Sequence, residues 1–266
     1  MHSDAVTQHE FVVRGNERAA EGIWRLVIES PVAGQLAPGQ FMNLRVPGDG
    51  SHILGIPLSF KGADAQAQTV ELLYAVVGEG TRRLSQMVAG QSSTLVGPCG
   101  RGWWLPEGEG RALLVAGGIG LPPVLAAARM LADAGICFDA IAGSRTADMV
   151  LSDDIEDLAR LAGADGRVIT CTDDGTAGRR GFVTEAMGEL LRERAYAQAY
   201  TCGPNVMMAG VARLADEHGV ACQVSMERMM GCGFGACSCC NVALVAGGYA
   251  LCCTDGPVFD AREVAW

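Results

Sequence analysis

Ala112-Leu-Leu-Val-Ala-Gly117-Gly-Ile-Gly120-Leu-Pro-Pro123 is an apolar run that breaks into glycines and then prolines. A run with no polar alternation is what a strand buried on both faces requires, as in a parallel sheet. Glycines at its end let a pyrophosphate approach the N-terminus of the next helix, where proline is also tolerated. Gly117, Gly118 and Gly120 lack the full G-x-G-x-x-G spacing, so a tight strand-to-helix turn with no ligand is the competing explanation. A helix is expected from about Val124 to Ala134.

Downstream, strands and helices alternate. Strands are expected at Phe138–Gly143, Arg167–Thr172 and Gln198–Cys202, with a last strand at Val220–Val224. Helices are expected from near Ser152, over Val183–Glu193 and from about Val206 to His218. That alternation predicts a doubly wound parallel sheet. Cys202-Gly203-Pro204 falls at the strand end where such sheets bind ligands, although Cys202 is equally explained as a buried apolar residue. Asp173-Asp174-Gly ends the third strand on the same edge.

Upstream, from His9 to about Val96, the pattern shortens and alternates, as in Ile23-Trp-Arg-Leu-Val-Ile and Val70-Glu-Leu-Leu-Tyr-Ala. Turns such as Pro31-Val-Ala-Gly, Pro38-Gly and Pro47-Gly-Asp-Gly separate the runs, predicting an antiparallel barrel or sandwich. Residues 1–8 are polar and expected to fray. A helical turn is expected over Gly80–Met87, with Thr81 as its cap. Gly78-Glu-Gly80-Thr81, beside Arg82 and Arg83, reads either as a phosphate cradle or as a solvated turn. Pro57-Leu-Ser59 taken alone is an ordinary strand end with a hydroxyl. Ser59 and Thr81 belong to no hydrolase triad, and His9, His52 and His218 are scattered and carry no role.

Past the last strand, Cys232-Gly-Phe-Gly-Ala-Cys237-Ser-Cys239-Cys240 precedes Cys252-Cys253-Thr-Asp-Gly-Pro-Val-Phe, so six of the 11 cysteines fall within 22 residues. Cys232, Cys237 and Cys240 have the C-x4-C-x2-C spacing of plant-type [2Fe–2S] proteins, completed by a distant fourth thiolate. Glycines around the first three permit the tight turns that aim backbone amides at sulfur. Structural zinc usually takes two C-x2-C pairs, and a disulfide knot would call for an export signal. Cys239 competes with Cys240, where the spacing favours Cys240. Cys252 and Cys253 are not separated by spacing.

The 266 residues allow two domains and a small appendage. Net charge is −10, which argues against nucleic-acid binding. No apolar run reaches membrane-spanning length, and Met1-His-Ser-Asp-Ala-Val is no export signal, so a reducing cytoplasm with metal-bound thiolates is expected. The domains are read as a barrel over 1–103, an α/β domain over 104–225 and a cysteine domain over 226–266.

Barrel, glycine-bearing dinucleotide fold, then cysteines: this order resembles the ferredoxin–NADP reductase superfamily. Glu227-Arg-Met-Met-Gly-Cys-Gly-Phe-Gly-Ala-Cys, Cys253-Thr-Asp-Gly-Pro-Val-Phe-Asp and the closing Glu263-Val-Ala-Trp resemble the electron-transfer subunit of class 1B dihydroorotate dehydrogenase. Leu73-Tyr-Ala-Val-Val-Gly-Glu-Gly-Thr, Val115-Ala-Gly-Gly-Ile-Gly, Thr172-Asp-Asp-Gly and Cys202-Gly-Pro extend the resemblance over nearly the whole chain. It implies an FAD-binding barrel, an NAD-binding domain, a C-terminal [2Fe–2S] domain, and an FMN-containing dihydroorotate dehydrogenase catalytic subunit as partner, two copies of each forming a heterotetramer in pyrimidine biosynthesis.

Carried over by motif, Ile56, Pro57, Leu58, Ser59, Leu73, Tyr74, Ala75, Gly80 and Thr81 face FAD. Gly117, Gly118, Gly120, Cys202, Gly203 and Pro204 border the nicotinamide of NAD, and Cys232, Cys237, Cys240 and Cys253 hold the cluster. The Cys-x-Asp-Gly-Pro run of the family aligns with Cys253. One position departs: the family usually has arginine before its Pro-x-Ser, and here stands Ile56, preceded by Gly55, with Arg82 or Arg83 as the substitutes at an FAD phosphate. The small subunit of electron-bifurcating NADH-dependent ferredoxin–NADP reductases shares the architecture, but its cluster loop typically lacks the cysteine present here as Cys232. The rival readings are a reductase subunit serving another oxidoreductase, and a non-catalytic iron–sulfur protein on a degraded reductase fold.

Overall fold

The computed structural model describes residues 6–48 and 54–266. His52, residues 1–5 and the end of the Pro47-Gly-Asp-Gly turn lie outside them. The first half is a closed barrel of β1 (Thr7–Ala20), β2 (Ile23–Glu29), β3 (Phe41–Leu44), β4 (Ile56–Asp64), β5 (Thr69–Ala75) and β6 (Ser92–Cys99), with α1 (Glu79–Leu84) before the last strand. Its strand order is β1-β2-β5-β4-β3-β6. Alternation makes it: Leu26, Ile28, Met42, Leu44, Val70, Leu72 and Tyr74 point inward and form one core. Thr7 and Gln8, expected to fray, instead pair with Gly97 and Val96.

The second half contains β7 (Ala112–Gly117), α2 (Leu121–Asp133), β8 (Phe138–Ser144), α3 (Ser152–Ala162), β9 (Val168–Thr172), β10 (Arg179–Arg180), α4 (Val183–Glu193), β11 (Gln198–Cys202), α5 (Asn205–Glu217) and β12 (Ala221–Ser225). Every residue of β7 is buried, as its unbroken apolar run predicts. α2 begins at Leu121 rather than Val124, because Pro122 and Pro123 occupy the first turn, where no N–H is needed. This helix is buried almost all round: one side meets the sheet, while Arg129 on the other donates to the Lys61 carbonyl of β4 at 2.9 Å.

β13 (Asn241–Ala243) and β14 (Tyr249–Leu251) form a hairpin in the cysteine segment, and β15 (Val258–Asp260) follows. β15 corrects the expectation that the strand near 220–224 is the last of a parallel sheet. It pairs antiparallel with β12, giving the order β10-β9-β8-β7-β11-β12-β15. The cysteine segment is thereby sewn into the second domain. It also meets the end of the barrel, where the Arg101 N–H donates to the Gly256 carbonyl and a Cβ at Gly100 would overlap that oxygen.

Candidate functional site

The cysteine loop lies against the outer face of the barrel. Phe41 of β3 points outward and shares a core with Cys99, Met230, Cys240, Cys252 and Cys253. The four thiols expected to act together fall into two pairs. The Cys232 N–H donates to Cys237 Sγ at 3.5 Å, and the Cys253 N–H donates to Cys240 Sγ at 3.4 Å. The Phe234 N–H donates to Cys232 Sγ at 3.5 Å, made accessible by positive φ at Gly233 and Gly235. Burial opposes ionisation of Cys232, but the backbone bonds from Phe234 and Cys237, with the Cys237 thiol, outweigh it and bring the thiol down to about 7. Such amide-to-sulfur bonds suit anionic thiolates, so two pairs of thiols fit a two-iron cluster. Among the described residues, no three His, Cys, Asp or Glu side chains converge on a single-ion site.

The competing cysteines are placed differently. Cys252 is fully buried and its thiol donates to the Met226 carbonyl at 3.1 Å. Cys239 is exposed, next to Ser238 at φ 52°. Cys99, at the end of β6, was not a sequence candidate. Burial, then the neighbouring Cys253, pushes its thiol up to about 12.

On β4 the expected flavin positions divide between two faces. Ile56 is 6% exposed and belongs to the barrel core with Phe60, whereas Pro57 and Ser59 are half-buried. On β5, Tyr74 also turns inward and its hydroxyl donates to Asn16 Oδ1 at 3.0 Å, while Leu73 packs outward against the second domain. Ile56 and Tyr74 therefore offer a ligand backbone rather than side chain.

Thr81 does not occupy the N-cap of α1. It sits in the first turn, and its Oγ1 accepts from the N–H groups of Val77 and Gly78 at 3.0 and 3.1 Å; Gly78 is the cap residue. Arg82 and Arg83 flank a cleft of about 490 Å³ with Pro47, Gly48 and Gln91. Both pair with Glu79, so the expected substitutes at an FAD phosphate already hold a carboxylate. Bonds from Arg83, then Arg82, lower the Glu79 pKa.

The two glycine loops of the second domain meet where β7 and β11 lie side by side, at the point where the strand order reverses. A Cβ at Gly120 would overlap the Cys202 carbonyl, and one at Gly117 would overlap Met207 Sδ. Gly118, at φ 54°, instead faces open space. Close backbone contact behind and a glycine open in front make a cradle that a pyrophosphate can enter. Cys202 is 1% exposed, and burial raises its thiol pKa.

A buried ionic network joins the domains. Lys61 Nζ lies 2.6 Å from Asp154, 3.2 Å from Asp157 and 3.3 Å from Glu71, and Arg25 reaches Asp154 at 3.2 Å. Sequence reading missed it, since Lys61 and Asp154 look like ordinary surface charges. It also missed Asn43, which is 4% exposed on β3. A lone polar residue in Phe41-Met-Asn-Leu was the available signal.

The model for the iron–sulfur cluster binding domain of dihydroorotate dehydrogenase B matches residues 227–265, and that for an oxidoreductase NAD-binding domain matches 114–213. The Desulforamulus reducens dihydroorotate dehydrogenase B (NAD(+)) electron transfer subunit is 33% identical over 251 residues, 93% of this chain and 94% of that one. The Clostridium perfringens protein of the same name is 34% identical over 95% of this chain and 96% of its own. A solved NADH-dependent reduced ferredoxin–NADP oxidoreductase, described for flavin-based electron bifurcation, superposes with TM-score 0.84 at 29% identity, covering 100% of this chain and 92% of that one. The ferredoxin reductase of carbazole 1,9a-dioxygenase shares the fold, at TM-score 0.67 and 20% identity over 81% of this chain and 66% of its own.

Proposed function

The chain belongs to the electron-transfer subunits of dihydroorotate dehydrogenase B, and on that premise we propose the route its residues build. Electrons from an FMN-containing subunit that oxidises dihydroorotate enter at a [2Fe–2S] site of Cys232, Cys237, Cys240 and Cys253. The barrel would hold FAD and the two glycine loops would seat NAD+, which takes up two electrons together with one proton as a hydride. FAD supplies the exchange between single electrons and a two-electron hydride. The observation that carries this reading is the pairing of the four thiols on a loop packed against β3, the neighbour of the flavin strand β4.

The residues position and tune. The Phe234 amide stabilises thiolate at Cys232, which raises the potential of a bound cluster. Pro57, Leu58 and Ser59, with the backbone of Ile56 and of residues 73–75, would hold the flavin ring, and Ser59 would offer it a hydroxyl. Gly80 and Thr81 would border its phosphates. Gly117, Gly118, Gly120, Cys202, Gly203 and Pro204 would seat the nicotinamide dinucleotide, with the close approach of Gly120 to Cys202 fixing the floor. Division at 103/104 and 225/226, a cytoplasmic location and an assembly of two such chains with two FMN subunits complete the proposal. No helix among the described residues is long and apolar enough to cross a membrane.

The test is anaerobic co-purification with the FMN subunit, followed by iron, sulfide and flavin analysis and a dihydroorotate–NAD+ assay. About two irons and one FAD per chain are expected, with NAD+ reduced only when both subunits are present. Zinc in place of iron under iron-replete growth would overturn the reading. The 0.84 superposition favours one second reading, a reductase subunit serving another oxidoreductase. Loaded cofactors with NADH-dependent dye reduction, but no coupling to dihydroorotate oxidation, would select it.

A further inference from the structure

Asn43 stands in the wall between the two redox sites. It is on the outer face of β3, in register with Pro57 of β4 on one side and Val96 of β6 on the other. Its Nδ2 donates to the Gly231 carbonyl of the cysteine loop at 3.4 Å. A Cβ at Gly233 would lie 3.1 Å from the same nitrogen, so the loop rests directly on the carboxamide. On its other edge the carboxamide faces Gly55, where a Cβ would overlap Oδ1. Two glycines, one in each motif, thus make room for one side chain.

Oδ1 has no hydrogen-bond partner among the described residues, although the side chain is buried. An orphaned buried acceptor destabilises a fold unless something donates to it. Asn43 is therefore poorly explained as a structural residue alone. The thiolates and sulfides of a cluster carry no proton, accept only, and cannot satisfy Oδ1. The N–H and O–H groups of a flavin can.

Resting on the functional reading above, we propose that Asn43 is a positioning residue that ties the flavin strand to the cluster loop. Its Oδ1 accepts a hydrogen bond from an N–H or O–H group of FAD, and its Nδ2 fixes Gly231. The side chain takes no part in electron exchange. It sets how the flavin and the Cys232–Cys237 turn sit relative to one another, and it makes flavin binding felt at the cluster.

The test compares the full chain with Asn43→Leu, which loses both polar atoms at similar shape, and Asn43→Asp, which keeps an acceptor. Wild-type iron and FAD content is measured first: absence of either defeats the functional reading itself, independently of Asn43. In the loaded protein, Asn43→Leu is expected to raise the FAD dissociation constant about tenfold. It should also change the electron paramagnetic resonance spectrum of the reduced cluster, while the flavin-stripped form melts at or above the wild-type temperature. Asn43→Asp is expected to hold FAD within about threefold of wild type while changing the cluster spectrum. A Leu variant that binds FAD as tightly as wild type with an unaltered spectrum overturns the proposal. So does a flavin-stripped Leu variant that melts well below wild type, which would mark Asn43 as ordinary packing. Should the Leu variant not fold, the Asp variant decides alone: an unaltered spectrum or lost FAD refutes.

Discussion

Asp154→Asn removes the charge at the centre of the seam between the barrel and the second domain. Asp154 is 1% exposed and binds Lys61 at 2.6 Å and Arg25 at 3.2 Å. Breaking a buried pair by removing one partner typically costs about 3–5 kcal/mol. Lys61 would keep Asp157 at 3.2 Å and Glu71 at 3.3 Å, and the isosteric amide opens no cavity. These contacts bring the expected loss to about 2–3 kcal/mol. At roughly 2–4 °C per kcal/mol for a chain of this size, the melting temperature should fall by about 4–12 °C. The assay is a thermal melt on samples matched in iron and flavin content, since bound groups shift apparent stability. Lys61→Met should cost a similar amount. The double variant Lys61→Met/Asp154→Asn should lose less than the sum of the single losses, by at least about 1 kcal/mol. Single shifts below about 1 °C, or strict additivity, would refute the claim that this network fastens the domains.

Other perturbations bear on the same structure. Burial alone would lower the Lys61 pKa, but its bond to Asp154 and the charges of Asp154 and Glu71 hold it above 10.5. Stability from a raised cation is complete below its unfolded pKa and lost as pH climbs through the folded one. A melt-versus-pH series should therefore fall off above 10.5, and less so in Lys61→Met. Cys253→Ser should abolish cluster absorbance, whereas Cys252→Ser, whose hydroxyl can still reach the Met226 carbonyl, should keep wild-type iron content. Ile56→Arg would put a charge into the barrel core and should cost about 3 kcal/mol in a melt without tightening FAD in a fluorescence titration; tighter FAD at wild-type stability would contradict the inward placement. Gly120→Ala should raise the KM for NADH about tenfold or more in a dye-reduction assay, because the new methyl meets the Cys202 carbonyl. Gly118→Ala faces open space and should lose only the roughly 1–2 kcal/mol of a strained φ.

Legibility from sequence followed the physics of burial. β11 and α4 run as expected because a strand covered on both faces is an apolar string, and because α4 keeps a 3.6-residue period. α2 starts at Leu121, three residues before the expected Val124, because the two prolines read as the helix start themselves fill its first turn. β15 was unreadable: Val258-Phe-Asp lies in a glycine- and cysteine-rich run and becomes a strand only by pairing with β12. The cysteine spacing was legible because ligand geometry is local, but Asn43 was not. Its environment comes from β4 and from a loop nearly two hundred residues away, and that proximity exists only after folding.

β15 has a consequence for how the molecule protects itself. The two margins of the second sheet are guarded in opposite ways. At one, β10 is so short that it offers an incoming chain almost no template. At the other, the five residues of β12 would present a full row of free amides and carbonyls, and the tail of the chain supplies the cover. The segment that carries the redox thiols is thus also the shutter over the most adhesive border of the protein. A chain cut short before Val258 would keep every one of those thiols and still leave that border bare.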